Sequence, residues 1–209
     1  MPLVHVDLPY NDSKPPGDVL AFLREAERRI EEFQSDRIIP SFVPSDFGRV
    51  WAVLETLAQG AVAPGMLFCE WGSGFGVVTC MAAMLDFDAS GIEIEPELVD
   101  HARQLAVDFD LPVEFVCGSF IPPDSDDCFL PGQRFTWLNT DTGRDDDLEL
   151  GPADFDVIFA YPWPDEERVV ESLFERHASP GSLLATYRGG DDFRLQRKKP
   201  AKLRRQRKP

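Results

Sequence analysis

Apolar residues recur along this chain at two spacings. From Gly17 to Gln34 they fall three and four apart, with Val19, Leu20, Leu23, Ala26, Ile30 and Phe33 on one face of a predicted helix. A second helix is predicted from about Asp46 to Gln59, capped by Ser45, with Phe47, Val50, Trp51, Leu54 and Leu57 facing inward. Short apolar runs alternate with helical stretches after Pro64-Gly65. Strands are predicted at 66–70, 90–94, 113–117, 155–161 and 182–187, and helices at 76–86, 96–108 and 164–178. Strand–helix alternation of this kind implies a doubly wound, mostly parallel α/β sheet with helices on both faces. Its expected strand order is 3-2-1-4-5, with the binding crevice at the switch point between the first and fourth strands.

Glycine punctuates the first strand–helix junction. Met66-Leu67-Phe68 runs into Cys69-Glu70-Trp71-Gly72-Ser73-Gly74-Phe75-Gly76, and an apolar helix follows. Three alternate glycines let the backbone turn tightly and let a ligand lie against it, where a Cβ would obstruct both. Glu93, 17 residues after Gly76, ends the second strand. A carboxylate there can accept hydrogen bonds from both hydroxyls of a ribose. Pro96 then occupies a first-turn helix position. A dinucleotide-binding G-x-G-x-x-G loop would place its third glycine at position 77, which is Val77.

These two segments resemble the class I (seven-strand, Rossmann-like) S-adenosylmethionine-dependent methyltransferases. Glu70 to Gly76 looks like their [DE]-x-G-x-G-x-G motif, and Gly91 to Pro96 like their second motif. The resemblance covers roughly residues 40–190. It implies that S-adenosyl-L-methionine is the cofactor. The backbone from Gly72 through Ser73 and Gly74 to Gly76 would hold its methionine part, and Glu93 its ribose. Glu70 would orient the loop or meet the ammonium group. After the third strand such proteins commonly carry Gly-Asp; here the run is Gly118-Ser119-Phe120, so Ser119 would accept the adenine amino group and Phe120 would pack on the ring. Phe42-Val43-Pro44-Ser45-Asp46 resembles a segment of the protein-lysine methyltransferase subset that closes over the methionine end, which adds Pro44 and Ser45 to the expected cofactor contacts.

The run Ala160-Tyr161-Pro162-Trp163-Pro164 after the fourth strand is similar to the Asn/Asp-Pro-Pro-aromatic motif of methyltransferases acting on ring-conjugated amino groups. Ala160 lacks the side chain that holds the amine in that motif, which argues against adenine or cytosine as acceptor. Tyr161, Trp163 and Asp165 are the expected acceptor-side residues, with Glu166 a further carboxylate nearby. The chain also departs from the resemblance beyond the fifth strand, where only Asp192 to Gln196 offers another strand, so a shortened sheet is expected. Residues 121–154, rich in Asp, Pro and Gly, are read as a hairpin or lid, with a short strand at Arg134 to Leu138.

Charge divides the chain. Net charge is −16, and residues 194–209 hold nine Lys or Arg and no acid, so setting these aside leaves −25 on the remainder. Such a body repels a phosphate backbone, which argues against duplex DNA as partner. The organisation expected is an N-terminal extension and helix over 1–40, a cofactor-binding domain over 41–193 and a basic, disordered tail over 194–209 that folds back on the acidic body or meets an acidic partner. No run of 18 apolar residues predicts a membrane span, and the N-terminus has no basic region followed by an apolar one, so a cytoplasmic protein is expected. Cys69, Cys80, Cys117 and Cys128 form no C-x-x-C pair and read as reduced core residues, with no metal site expected. Three functions remain open on the sequence: methyl transfer to a protein side chain or amine, methyl transfer to a small metabolite, and cofactor binding without activity.

Overall fold

The computed structural model describes residues 2–8, 13–60, 62–129, 138 and 150–199. The elements in chain order are β1 (Leu3–His5), α1 (Gly17–Asp36), α2 (Phe47–Gln59), β2 (Leu67–Trp71), α3 (Val77–Ala83), β3 (Asp88–Glu93), α4 (Pro96–Asp108), β4 (Val113–Cys117), β5 (Val157–Ala160), α5 (Glu167–His177), β6 (Leu183–Tyr187) and β7 (Phe193–Lys198). They build one seven-stranded sheet in the order β1-β7-β6-β5-β2-β3-β4.

The five strands from β4 to β6 pair in parallel. The expected order 3-2-1-4-5 describes only this part, and the shortened sheet is corrected. Two antiparallel strands extend it: β7 pairs with β6, and β1 pairs with β7. Residues 194–198, assigned above to the basic tail, lie inside β7, and 200–209 fall outside the described residues. The cause is legible in β7 itself. Leu195 is fully buried in the core, and Lys198, only 2 % exposed, donates through Nζ to the Arg176 and Ala178 carbonyls at the C-terminal end of α5. A lysine head there satisfies carbonyls that a helix end leaves open. Burial pulls the pKa of Lys198 below the ordinary lysine value.

Strand side chains alternate between two cores. Phe68, Ala89, Phe115, Phe159 and Leu195 face one core with α1, α2, α3 and α4. Cys69, Ile92, Val116, Ile158 and Leu184 face the other, which α5 covers through Val169, Val170, Leu173 and Phe174. Each fully buried Phe or Leu contributes about 1.5–3 kcal/mol. On the α5 face no α-helix lies between β4 and β5 among the described residues. Phe120, Ile121 and Phe129 pack there around a 3-10 turn at Asp126–Cys128. The expected hairpin over 121–154 and the strand at Arg134 to Leu138 lie mostly outside the described residues.

Two helix details differ from the expectation. Asp46, not Ser45, caps α2, its carboxylate accepting from the Arg49 amide at 3.1 Å. In α1, Phe22 takes the core position and Leu20 points out. Among the described residues no helix is long and apolar enough to cross a membrane, and no group of His, Cys, Asp or Glu is arranged to hold a metal ion.

Candidate active site at the carboxyl ends of the parallel strands

A cavity of about 760 Å³ opens where β3, β2 and β5 end. Its floor is the turn from β2 into α3. Gly72, Gly74 and Gly76 all take positive φ, at 76°, 53° and 71°. A Cβ on Gly76 would come within 2.3 Å of the Phe115 ring, so that glycine is needed for packing beneath the loop. A Cβ on Gly72 would meet nothing within 4 Å, because that position faces the cavity.

Two buried carboxylates fix this turn. Glu93, 8 % exposed, accepts from the Gly74 amide (2.8 Å) with one oxygen and from the Ile94 (2.8 Å) and Glu95 (3.0 Å) amides with the other. Glu70, 5 % exposed, accepts from both the amide (2.9 Å) and the hydroxyl (2.6 Å) of Thr79 in α3. The Ile92 carbonyl accepts from the Gly72 and Ser73 amides, which ties the loop to β3. Burial pushes the Glu70 carboxyl up to about 8, the Thr79 bonds hold it down in part, and the charge of Glu93 raises it further. Burial also raises Glu93, against the pull of its three backbone amides.

The remaining walls come from two other segments. Residues 39–45 cross over the glycine loop; Phe42 packs against Gly74 and stacks on Phe75 with ring centroids 5.4 Å apart. Tyr161, Trp163 and Glu166 follow β5, and Phe120 follows β4. Phe120 lies nearly parallel to Trp71, at 5.1 Å and 9°. Tyr161 packs on Tyr187 at 4.7 Å.

Of the residues singled out in the sequence, Glu70, Gly72, Ser73, Gly74, Glu93, Phe120, Pro44, Ser45, Tyr161 and Trp163 all line this cavity. Gly76, Ser119 and Asp165 do not. Gly76 is the residue that turns the chain into α3. The Ser119 hydroxyl accepts from the Ile121 amide at 3.2 Å, so it is engaged in its own turn. Asp165 is exposed, whereas Glu166 beside it is 6 % exposed and lines the cavity. The helical phase carried that distinction: positions 166, 169, 170 and 173 share the buried face of α5. The sequence reading quoted Phe42 and Phe75 within their motifs but not the stacking between them, a contact across 33 residues.

No protein-family model matches this chain, and no curated protein matches it. Solved structures share its fold. An RNA methyltransferase from Salinibacter ruber, in complex with S-adenosyl-L-homocysteine, superposes with a TM-score of 0.54 at 20 % identity, over 78 % of this chain and 97 % of that one. A methyltransferase from Geobacter sulfurreducens gives 0.51 at 18 % identity, over 89 % of this chain and 92 % of that one. The O-methyltransferase TomG from Streptomyces achromogenes, involved in tomaymycin synthesis and in complex with SAM, gives 0.50 at 16 % identity, over 83 % and 66 %. The chain has the class I methyltransferase fold.

Proposed function

We propose that this protein is an S-adenosylmethionine-dependent methyltransferase whose acceptor is a protein side chain or an amine. One observation carries the cofactor assignment. The cavity floor at Gly72 is open backbone, and beside it the Ser73 hydroxyl is buried without a hydrogen-bond partner. A buried polar atom in that state calls for a ligand group to pair with it. Glu70 and Glu93 add two carboxylates whose proton affinity burial raises, Glu93 raising that of Glu70 further, so a cationic ligand suits the site. Fold likeness and the motif resemblance support the same cofactor.

Each residue's part follows from its position. Gly72, Ser73 and Gly74 cradle the methionine portion against open backbone. Glu93 holds the loop with bonds to three amides and keeps one acceptor site, on Oε2, for a ribose hydroxyl. Glu70 clamps α3 through Thr79 and sets the local charge. Phe120, backed by Trp71, offers a ring face to the adenine, and Pro44 and Ser45 close over the cofactor from the 39–45 segment. Bound there, S-adenosylmethionine supplies an electrophilic methyl carbon whose sulfur leaves as a neutral thioether. Tyr161 and Trp163 wall the side from which an acceptor approaches. Alignment of this kind can lower a barrier by roughly 7–11 kcal/mol.

The RNA acceptor of the Salinibacter protein is not carried over. Among the described lining residues are four glutamates and no Lys, Arg or His, so no basic group there offers a phosphate backbone a partner. Calorimetric titration with S-adenosylhomocysteine, S-adenosylmethionine and NAD tests the cofactor assignment. Tight binding of the first two and much weaker binding of NAD is expected; NAD binding without S-adenosylhomocysteine binding would overturn it. Labelled cofactor offered to peptide, metabolite, RNA and DNA pools tests the acceptor, and cofactor binding with no label transferred would make the protein an inactive binder.

A further inference from the structure

We infer that cofactor binding expels a proton from the protein and that Glu70, beside the cavity floor, is the group that loses it. The inference rests on the cofactor reading above, which lays the methionine portion, with its α-ammonium group, over the turn from β2 into α3.

The local fold gives Glu70 surroundings that suit a neutral acid. β2 is an inner strand, and its residues opposite Glu70 are Gly91 of β3 and Phe159 of β5, neither of which carries a charge. On the α3 side, Thr79 gives one oxygen, Oε2, two neutral donors, its amide at 2.9 Å and its hydroxyl at 2.6 Å. The Cys80 thiol, next in α3, is held neutral by burial and by the charge of Glu70. Glu93, at the end of β3, is a second carboxylate whose charge opposes the ionisation of Glu70. Among the described residues no Lys, Arg or His pairs with Glu70. A carboxyl group 5 % exposed, set between neutral donors and a second acid, keeps its proton until a cation arrives. Burial accordingly pushes it up to about 8, so near neutral pH the free site is protonated there.

The ligand brings the missing cation to the same wall. Glu70 and Gly72 both line the cavity, two residues apart, and Gly72 is open backbone. An ammonium group laid on that backbone lies close to the Glu70 carboxyl, and out of water the attraction between opposite charges is strengthened. The ionised form is then favoured. The step balances: the O–H bond of the carboxyl breaks, its electron pair stays on oxygen, and the proton passes to solvent. The ammonium group keeps all its own protons. The ribose at Glu93 and the adenine at Phe120 bring no cation, so these contacts alone leave Glu70 protonated. Below about pH 8 binding has to remove this proton, so affinity rises with pH toward that value, by at most about tenfold per pH unit, and levels off above it.

The test counts protons. The full-length chain is titrated calorimetrically near neutral pH with S-adenosylhomocysteine in phosphate and in Tris, and the dependence of the heat on the ionisation enthalpy of the buffer gives the protons released per site. The second probe is 5′-methylthioadenosine, the same nucleoside thioether without the ammonium and carboxylate groups. S-adenosylhomocysteine should release roughly 0.5–1 proton from the wild type, and 5′-methylthioadenosine about none. In Glu70→Gln the release by S-adenosylhomocysteine should fall to about none and the rise of affinity with pH should flatten, while 5′-methylthioadenosine affinity stays within about twofold. No release by S-adenosylhomocysteine from the wild type, equal release by both probes, or undiminished release from Glu70→Gln would overturn the inference. The two probes are compared on the wild type alone, so they decide the matter even where the variant fails to fold. A wild type that does not bind S-adenosylhomocysteine would overturn the cofactor reading instead, and the same titrations tell the two failures apart because binding is seen whether or not protons are released.

Discussion

The two ends of the cavity are made of different material. Where β2 and β3 end, the recognition surface is backbone: three left-handed glycines held by carboxylates that bond main-chain amides and Thr79. Where β5 ends, it is side chain: the Tyr161 and Trp163 rings and the Glu166 carboxylate, roofed by the 39–45 segment. A backbone site needs particular residues because only they permit the chain path. A side-chain site needs them for what they present to the ligand. Substitutions at the first end should therefore damage fold and cofactor binding together. Substitutions at the second should change ligand preference and leave the fold intact.

The largest effect is expected at Glu93. Glu93→Ala removes the acceptor of the Gly74, Ile94 and Glu95 amides at once. Stability should fall by about 2–4 kcal/mol, and S-adenosylhomocysteine affinity by at least about tenfold. Glu95→Ala, in a half-buried residue before α4, should cost a few tenths of a kcal/mol. Urea midpoints and calorimetry on the two variants check this. Equal losses would show that the second strand ends elsewhere.

The glycines come next and separate fold from binding within one loop. Gly76→Ala meets Phe115 at 2.3 Å and Ala102 at 2.9 Å as well as an unfavourable φ, and should lose roughly 2–4 kcal/mol of stability. Gly72→Ala pays only the conformational part, about 1–2 kcal/mol, but places a methyl group on the cavity floor. It should therefore weaken S-adenosylhomocysteine more than its stability loss suggests. Thermal melts with and without ligand distinguish the two.

The same contrast explains what was legible in the sequence. The glycine loop and Glu93 are contiguous or lie one strand apart, so spacing alone placed them. The parallel strands followed from apolar runs bounded by Gly and Pro. What was missed depends on distant partners. β1 is three residues long and forms only because β7 offers it an edge. The first part of β7 was legible as a strand over Asp192 to Gln196. Arg197 and Lys198 read as basic tail, yet Arg197 bonds the Val62 and Gly181 carbonyls and Lys198 those of Arg176 and Ala178 at the end of α5. Ser119 adds a local bond that the motif did not reveal: its hydroxyl accepts from the Ile121 amide of its own turn.

A pH effect of intermediate size is expected from Glu70. Its folded carboxyl is held up near 8 against an ordinary 4.5, so between these values the folded chain binds more protons than the unfolded one. Stability from this group is complete at or below pH 4.5, falls as pH rises through the window, and levels off above about 8. The slope should reach at most about 1.4 kcal/mol per pH unit. Glu70→Gln, which keeps an acceptor for Thr79, should flatten this window in urea titrations across pH. An unchanged slope would place the buried proton elsewhere.

The smallest effect is expected at Asp165, and it sharpens the comparison most. Asp165 and Glu166 are adjacent carboxylates at the start of one helix, and a motif alone cannot rank them. Helical phase does: Glu166 shares the inward face with Val169 and Val170, while Asp165 projects into solvent. An exposed carboxylate at a helix start contributes about 0.3–1 kcal/mol, reduced by salt. Asp165→Asn should therefore shift the melting midpoint by a few degrees at most, leave S-adenosylhomocysteine affinity within twofold, and leave any methyl transfer the protein performs within about twofold. A loss of turnover above tenfold in Asp165→Asn, with cofactor affinity intact, would mean that the acceptor approaches from the solvent side of α5, not through the end of the cavity walled by Tyr161 and Trp163.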